Sequence, residues 1–150
     1  MAASVLSALA ENVAARRARR AHAFTRVQEL RRHPALVVGQ TVAKWLKTAY
    51  GWQTMPGRVG PPYWILERGR QTLLLCARDG ESRVTWRDVD EVLEARAHYT
   101  ADIAAIAAPA GVPDPEELSE AQIETVHLWG PLQLERIYIE IEHELDEVPL

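Results

Sequence analysis

The stretch YWILERGRQTLLLCA, residues 63–77, decides the fold that the sequence predicts. Two short apolar runs, residues 63–66 and 73–77, flank a polar segment with Gly69 near its centre. Short apolar runs on either side of a glycine-containing turn are typical of two strands that pair as a hairpin. The sequence therefore predicts a β-hairpin whose tight turn is Arg68-Gly69-Arg70.

A helix and two strands are predicted after the hairpin. Thr85 with Asp88 three residues later is typical of a helix start, and acids in the first turn favour the same position. The apolar spacing that follows predicts a helix from 85 to 99. Apolar runs at residues 102–108 and 123–129 predict two further strands, so the chain belongs to the α/β class.

Two helices are predicted before the hairpin. Residues 1–33 contain no Pro or Gly and are rich in Ala, Arg and Leu, which predicts one long helix or two abutting helices that end at Pro34. Apolar residues at helical spacing predict a second helix from 35 to 50, with Gly51 just past its end. Residues 52–55 are interpreted as the first strand.

The C-terminal third predicts two more helices. Asp114 followed by Pro115 indicates the start of a short helix. Residues 134–145 are spaced as a helix face, although Ile137, Ile139 and Ile141 also alternate as a strand would; the Glu- and Leu-rich composition favours the helix. The predicted order is ααβββαβαβα.

Composition limits the classes of protein to which the chain can belong. The 150 residues are 47% hydrophobic, which suits one globular domain with a substantial core. No apolar run approaches the roughly 20 residues that span a bilayer, and residues 1–10 make a poor secretory signal. A single cysteine, Cys76, cannot build a disulfide framework or a zinc site. We expect a cytoplasmic protein with no membrane contact, metal or cofactor.

Charge is distributed unevenly along a chain whose net charge is −4. Residues 1–33 hold seven arginines against two acids, whereas residues 112–150 hold eleven acids and a single arginine. Such asymmetry indicates a basic surface for nucleic acid, an acidic partner, an internal match between the two ends, or simply a solvated helix face. The arginines predicted to contact nucleic acid are Arg16, Arg17, Arg19, Arg20, Arg58, Arg68 and Arg70.

Several landmarks between residues 36 and 137 resemble the Mrr-type restriction endonuclease-like, or PD-(D/E)xK, family. Gly51-Trp52 lies where that family has Gly-Trp or Gly-Tyr after its opening helix, and Gly57 to Gly60 matches its glycine-rich approach to a metal-binding Asp. Cys76 matches the cysteine of its Gln-Cys-Lys triplet, and residues 95–106 are similar to its helix-to-strand segment. The resemblance implies a three-layer core with a mixed sheet flanked by helices, here residues 34–150, preceded by a basic N-terminal helical segment, residues 1–33.

The catalytic positions of that family are degenerate in this chain. The Asp position falls near Tyr63–Trp64, the Gln or Glu position on Leu75, the Lys position on Ala77, and the helix Glu position near Gly39–Gln40. Phosphodiester cleavage in this family requires a divalent cation, and Trp, Leu and Ala cannot ligate one. The resemblance therefore implies a pseudonuclease rather than an enzyme.

Three functions follow as hypotheses. The first is an inactive nuclease-fold subunit of a larger complex that binds nucleic acid, DNA rather than RNA, or acts as a scaffold. The second is a protein-interaction module, such as an immunity-type inhibitor or an assembly subunit, which docks on a partner or a second copy through the N-terminal helix. The third is an active nuclease with relocated ligands drawn from Glu67, Asp79, Glu91 and Glu94.

Overall fold

A computed structural model describes residues 2–57, 59–114 and 126–147, and side chains from 5 to 141 within these ranges. Four helices and five strands lie in those ranges. The helices are α1 (Ala2–Leu30), α2 (Ala35–Tyr50), α3 (Trp86–His98) and α4 (Pro131–Glu147). The strands are β1 (Gln53–Thr54), β2 (Tyr63–Arg68), β3 (Gln71–Ala77), β4 (Ile103–Ala107) and β5 (Val126–Trp129).

The strands form one mixed sheet in the order β1-β2-β3-β4-β5. β1, β2 and β3 are antiparallel neighbours, whereas β3, β4 and β5 are parallel. The predicted hairpin is confirmed: β2 and β3 pair from Tyr63↔Cys76 to Arg68↔Gln71, and Gly69 in the turn has a φ of 62°. That left-handed conformation strains residues with a Cβ, so a glycine suits the turn.

Helices cover both faces of the sheet, which gives a three-layer α/β arrangement. α2 and α4 pack on one face against alternate residues of the central strands, among them Leu66, Leu73 and Leu75, and the C-terminal end of α1 joins the same core beside α4. α3 packs on the opposite face against Ile65, Leu74 and Ile106. Because consecutive strand residues point to opposite faces, the continuous run Leu73–Ala77 supplies both cores, and all five of its residues are buried.

Helix boundaries follow the local signals in the sequence. Thr85 caps α3 through a complete capping box with Asp88, in which each side chain accepts from the other's backbone N–H. Gly51 ends α2 with a φ of 80° and donates its N–H to the carbonyl of Lys47. The ambiguous segment after Pro131 is a helix, as its composition favoured, because Leu134, Ile137 and Ile141 all enter one core.

Some predicted boundaries were wrong by a few residues. α1 ends at Leu30, three residues before the predicted position, because residues 31–33 form a turn rather than a further helical turn. β1 pairs with β2 through only two residues, Gln53↔Glu67 and Thr54↔Leu66. The predicted helix starting at Asp114-Pro115 and the first residues of the predicted strand 123–129 lie outside the described residues.

Two polar contacts fix the ends of the central strands. Asp102 Oδ2 accepts from the backbone N–H and the hydroxyl of Thr72, 2.9 and 3.2 Å away, just where β3 and β4 begin. At the other end, the N–H of Gly80 donates to the carbonyl of His33, 2.8 Å away. A Cβ on Gly80 would overlap the backbone of Leu30 and Arg31, so the turn after α1 lies directly on the loop after β3.

α1 is anchored at one end only. Ala23, Val27 and Leu30 are buried, and the His22 ring lies edge-on to Tyr138 of α4 with centroids 5.3 Å apart. From residue 5 to residue 18 every side chain of the helix is exposed. No helix in the described part of the chain is both long and apolar enough to cross a membrane.

Candidate functional site

The degenerate positions of the resemblance lie together in the structure. Trp64 in β2 pairs directly with Leu75 in β3, and both face α2 together with Ala77. Leu75 and Ala77 are fully buried, whereas Trp64 is half-buried. The three hairpin positions that the resemblance implied as degenerate metal-site positions are therefore neighbours on one face of the hairpin.

Gly39 in α2 completes this cluster, which we call the Trp64 cluster: Gly39, Trp64, Leu75 and Ala77. The six-membered ring of Trp64 lies so close to the α2 backbone that a Cβ on Gly39 would overlap its atoms. An indole packed on a helix backbone excludes both water and any larger side chain from this space. The resemblance implied a helix Glu near Gly39 and an Asp near Trp64. The space beside Gly39 is thus filled by the Trp64 ring.

The cluster offers no ligand for a hard cation. Mg²⁺ and similar ions bind carboxylate, carbonyl and water oxygens, whereas the four side chains of the Trp64 cluster are hydrogen or apolar groups. Among the side chains that the structure describes, those of residues 5–57, 59–114 and 126–141, no group of three or more His, Cys, Asp and Glu is arranged to hold a metal ion.

The acids considered for a relocated site have other roles or lie apart. Asp79 accepts from the backbone N–H groups of Glu81 and Ser82, and its other oxygen accepts from the Ser82 hydroxyl at 2.6 Å. The hydrogen bond from Ser82 lowers the pKa of Asp79 below its ordinary value. Glu67 lies in β2 between Gln53 and Thr72, and Glu91 and Glu94 are exposed on α3.

A cluster of polar side chains surrounds Cys76 on the face of the hairpin opposite the Trp64 cluster. Arg78 forms an ion pair with Asp88, with 3.4 Å between Nη1 and Oδ1. The ring centroids of Tyr63 and Tyr99 are 6.5 Å apart. Burial raises the pKa of Cys76 to about 12 although the nearby Arg78 acts to lower it, and burial also raises the pKa of Tyr63. A thiol held neutral is a poor nucleophile and a poor metal ligand.

The predicted nucleic-acid-binding arginines fall into separate places. Arg16, Arg17 and Arg20 are exposed on α1, and Arg19 is half-buried. Arg68 stacks over Trp52, 4.7 Å from the ring centroid, and contacts the carbonyl of Tyr50, while Arg70 is exposed in the hairpin turn. Arg58 lies outside the described residues.

A groove between α1 and α4 is the feature that sequence reasoning missed. It has a volume of about 940 Å³. We call it the α1–α4 groove; among its lining residues are Arg16, Arg19 and Arg20 on α1, and Leu132, Glu135 and Glu140 on α4. Basic and acidic side chains thus meet in one groove, which fits the internal match between the two ends that the charge asymmetry had left open. Only the opposite charges of the two segments hinted at this arrangement.

Comparisons of the chain with models of protein families, with curated proteins and with solved structures find no match.

Gly39→Ala tests the closeness of Trp64 to α2. Alanine is the better helix former by about 1 kcal/mol, so a net loss of stability can arise only from overlap with the ring. We expect the free energy of unfolding to fall by about 1–3 kcal/mol, the usual cost of overpacking, measured by urea denaturation. Gly60→Ala is the matched control, because nothing lies within 4 Å of a Cβ there. Equal effects of the two substitutions would contradict the packing described.

Cys76 makes the free energy of unfolding depend on pH in the alkaline range. The thiol ionises near its ordinary pKa of 9.0 in the unfolded chain but only near about 12 in the folded chain. Its contribution is therefore complete below pH 9 and is lost as the pH rises toward 12. We expect the stability of the native protein to fall more between pH 8 and 11 than that of Cys76→Ala, and the thiol to react with DTNB only after unfolding. Rapid labelling of the folded protein at pH 8 would contradict this.

Proposed function

We propose that this protein is a catalytically inactive restriction endonuclease-like protein that acts as a scaffolding subunit of a larger complex. Filling of the Trp64 cluster is the observation that carries the proposal. Leu75 and Ala77 offer no ligand, and an aromatic ring occupies the space against Gly39. A site filled in this way stabilises the fold and cannot hold a cation, so we assign the function of the protein to binding by other surfaces.

The arrangement of secondary structure supports the family resemblance on which the proposal rests. A mixed sheet flanked by helices on both faces, as the resemblance implied, is formed by a helix, an antiparallel three-stranded unit, a helix and a parallel strand in that order. The implied catalytic positions also come together in space, although they are spread over residues 39–77 of the chain. Three of them share one face of the hairpin, and the fourth, Gly39, lies on α2 against that face.

The scaffolding role is supported by α1, whose exposed half extends beyond the core. Val5, Leu6, Leu9 and Val13 are 60, 66, 55 and 47% exposed. Contiguous exposed apolar side chains on one helix face mark interaction sites in soluble proteins.

The direct test is incubation of the pure protein with supercoiled plasmid and with labelled DNA and RNA, in Mg²⁺ or Mn²⁺ buffer. We expect no cleavage, because the Trp64 cluster cannot place a cation against a phosphodiester. Metal-dependent cutting that EDTA abolishes would contradict the proposal.

Two variants separate a relocated site from a contaminant if cutting is observed. Glu67→Gln and Glu91→Gln each remove one acid of the relocated-ligand hypothesis and keep the shape of the side chain. Cleavage lost in either variant would establish an active nuclease with moved ligands. Cleavage that is unchanged in both variants and in Trp64→Phe would indicate a contaminating nuclease. The cleavage activity would then elute apart from the protein on a further column.

A second candidate function is nucleic-acid binding by α1, favoured by the exposure of Arg16 and Arg17 on the part of the helix that extends from the core. Neither arginine forms an ion pair within the described residues, so both guanidinium groups are available to phosphates. Contacts of this kind are independent of sequence and weaken steeply with salt.

The salt dependence of binding tests this candidate. For duplex DNA, each phosphate contact contributes about 0.9 to the slope of log affinity against log salt. Arg16→Ala with Arg17→Ala should therefore reduce the slope by about 1.8, measured by fluorescence polarisation. Arg31→Ala with Arg32→Ala removes the same charge from the turn after α1 and should leave the slope unchanged. A slope that changes equally in both pairs, or no binding at all, would contradict the candidate and leave scaffolding alone.

A further inference from the structure

The apolar residues of α1 continue the face by which the helix is anchored. Leu6, Leu9 and Val13 are separated by three and four residues, and the same spacing leads on through Arg16 and Arg20 to Ala23, Val27 and Leu30. The last three are buried in the core, whereas the first three are exposed. One seam therefore runs the length of α1: covered at its C-terminal end, basic in the middle, and apolar and uncovered at its N-terminal end.

We propose that residues 2–13 of α1, here called the arm, pair antiparallel with the arm of a second copy of this chain. The inference does not depend on whether the protein is catalytic, so it extends beyond the proposed function. Its basis is the match of the seam to itself, together with the position of the charges along α1.

Charge excludes the parallel arrangement. Extended parallel pairing in register would place Arg16 against Arg16 and Arg20 against Arg20 of the second copy, in the seam itself. Like charges held together there are unfavourable. In the antiparallel arrangement the two arginine clusters lie at opposite ends of the paired arms.

A single antiparallel register keeps the seam apolar. In it, Leu6 of each copy packs on Leu9 of the other, and Val13 lies beside the backbone of the first turn of the facing helix. A shift by one heptad toward the core would set Leu6 against Arg16 and leave charged groups in the seam. In the register that pairs Leu6 with Leu9, the two-fold axis falls midway between residues 7 and 8. Residue 18 of one copy therefore lies about 31 Å along the helix axis from residue 18 of the other. That distance exceeds the Debye length of about 8 Å at physiological salt, so the clusters barely repel.

The α1–α4 groove extends the contact at each end of the paired arms. Leu132 is 68% exposed and lines the groove beside Asn12 and Arg16, next to where the first turn of the second copy would lie. α1 has no acidic residue in its first turn, so the positive end of its dipole is uncompensated within its own helix. Glu135, one turn from Leu132 in the same groove, would supply the missing negative charge from the other copy.

The oligomeric state is the first measurement, by analytical ultracentrifugation of the full chain over a concentration series without nucleic acid. We expect a reversible monomer–dimer equilibrium. Leu6→Glu with Leu9→Glu should raise the dissociation constant at least tenfold, because it buries like charges at the two-fold axis. Leu36→Glu is the matched control: Leu36 is also an exposed apolar residue, but it lies on α2, and this variant should dimerise as the native protein does.

Pulsed EPR then tests the orientation. A spin label at Ala18→Cys lies on an exposed position beyond the arm, and the native Cys76 is too buried to label. An interlabel distance near 30 Å is expected for antiparallel arms, whereas a distance below about 20 Å would overturn the orientation. A protein that is monomeric throughout, or a dimer weakened equally by Leu36→Glu and by the arm variant, would overturn the proposal. Cleavage assays are unaffected by any of these results, so failure of the dimer is distinguishable from failure of the proposal that the protein is catalytically inactive.

Discussion

Pairing of β3 with both of its neighbours is the interaction on which the rest of the structure depends. β3 binds β2 antiparallel and β4 parallel, and it contributes Leu73 and Leu75 to one core and Leu74 and Cys76 to the other. Since side chains alternate between faces, a slip of one residue in β3 would exchange the two sets of side chains and place the Trp64 cluster on the wrong face. The hydrogen bonds between Thr72 and Asp102 hold the register where the parallel pair begins.

The parts of the fold that the sequence predicted well are those fixed by local chemistry. The hairpin, the capping box of Thr85 and Asp88, and the Gly51 end of α2 each depend on a few adjacent residues. The end of α1 was placed too late because Arg31 and Arg32 are good helix formers, whereas residues 31–33 form a turn on which the loop at Gly80 packs. The two-residue length of β1 likewise depends on how far it pairs with β2, and the residues of β1 alone do not determine that.

The resemblance named Trp64, Leu75 and Ala77, and the structure shows that they share one face of the hairpin. Their descent from a metal site stays a prediction. The contact between the Trp64 ring and Gly39 could not be predicted, because it joins residues 25 positions apart through the packing of a helix on a strand. The α1–α4 groove was beyond reach for the same reason: opposite charges at the two ends of a chain are compatible with many arrangements, and only packing selects one.

Because α1 is anchored at one end, a small tilt there displaces its exposed end by a larger distance. Leu6 lies about 25 Å from Ala23 along the helix axis, so a tilt of about 5° at the anchored end moves Leu6 by about 2 Å. The pivot is tight, since Gly80 lies directly on the backbone of Leu30 and Arg31 and bonds to His33. A displacement of the loop after β3 that tilted α1 would therefore move Leu6 farther than the loop itself. A partner bound at Leu6 would be displaced with it, although it never touches the loop.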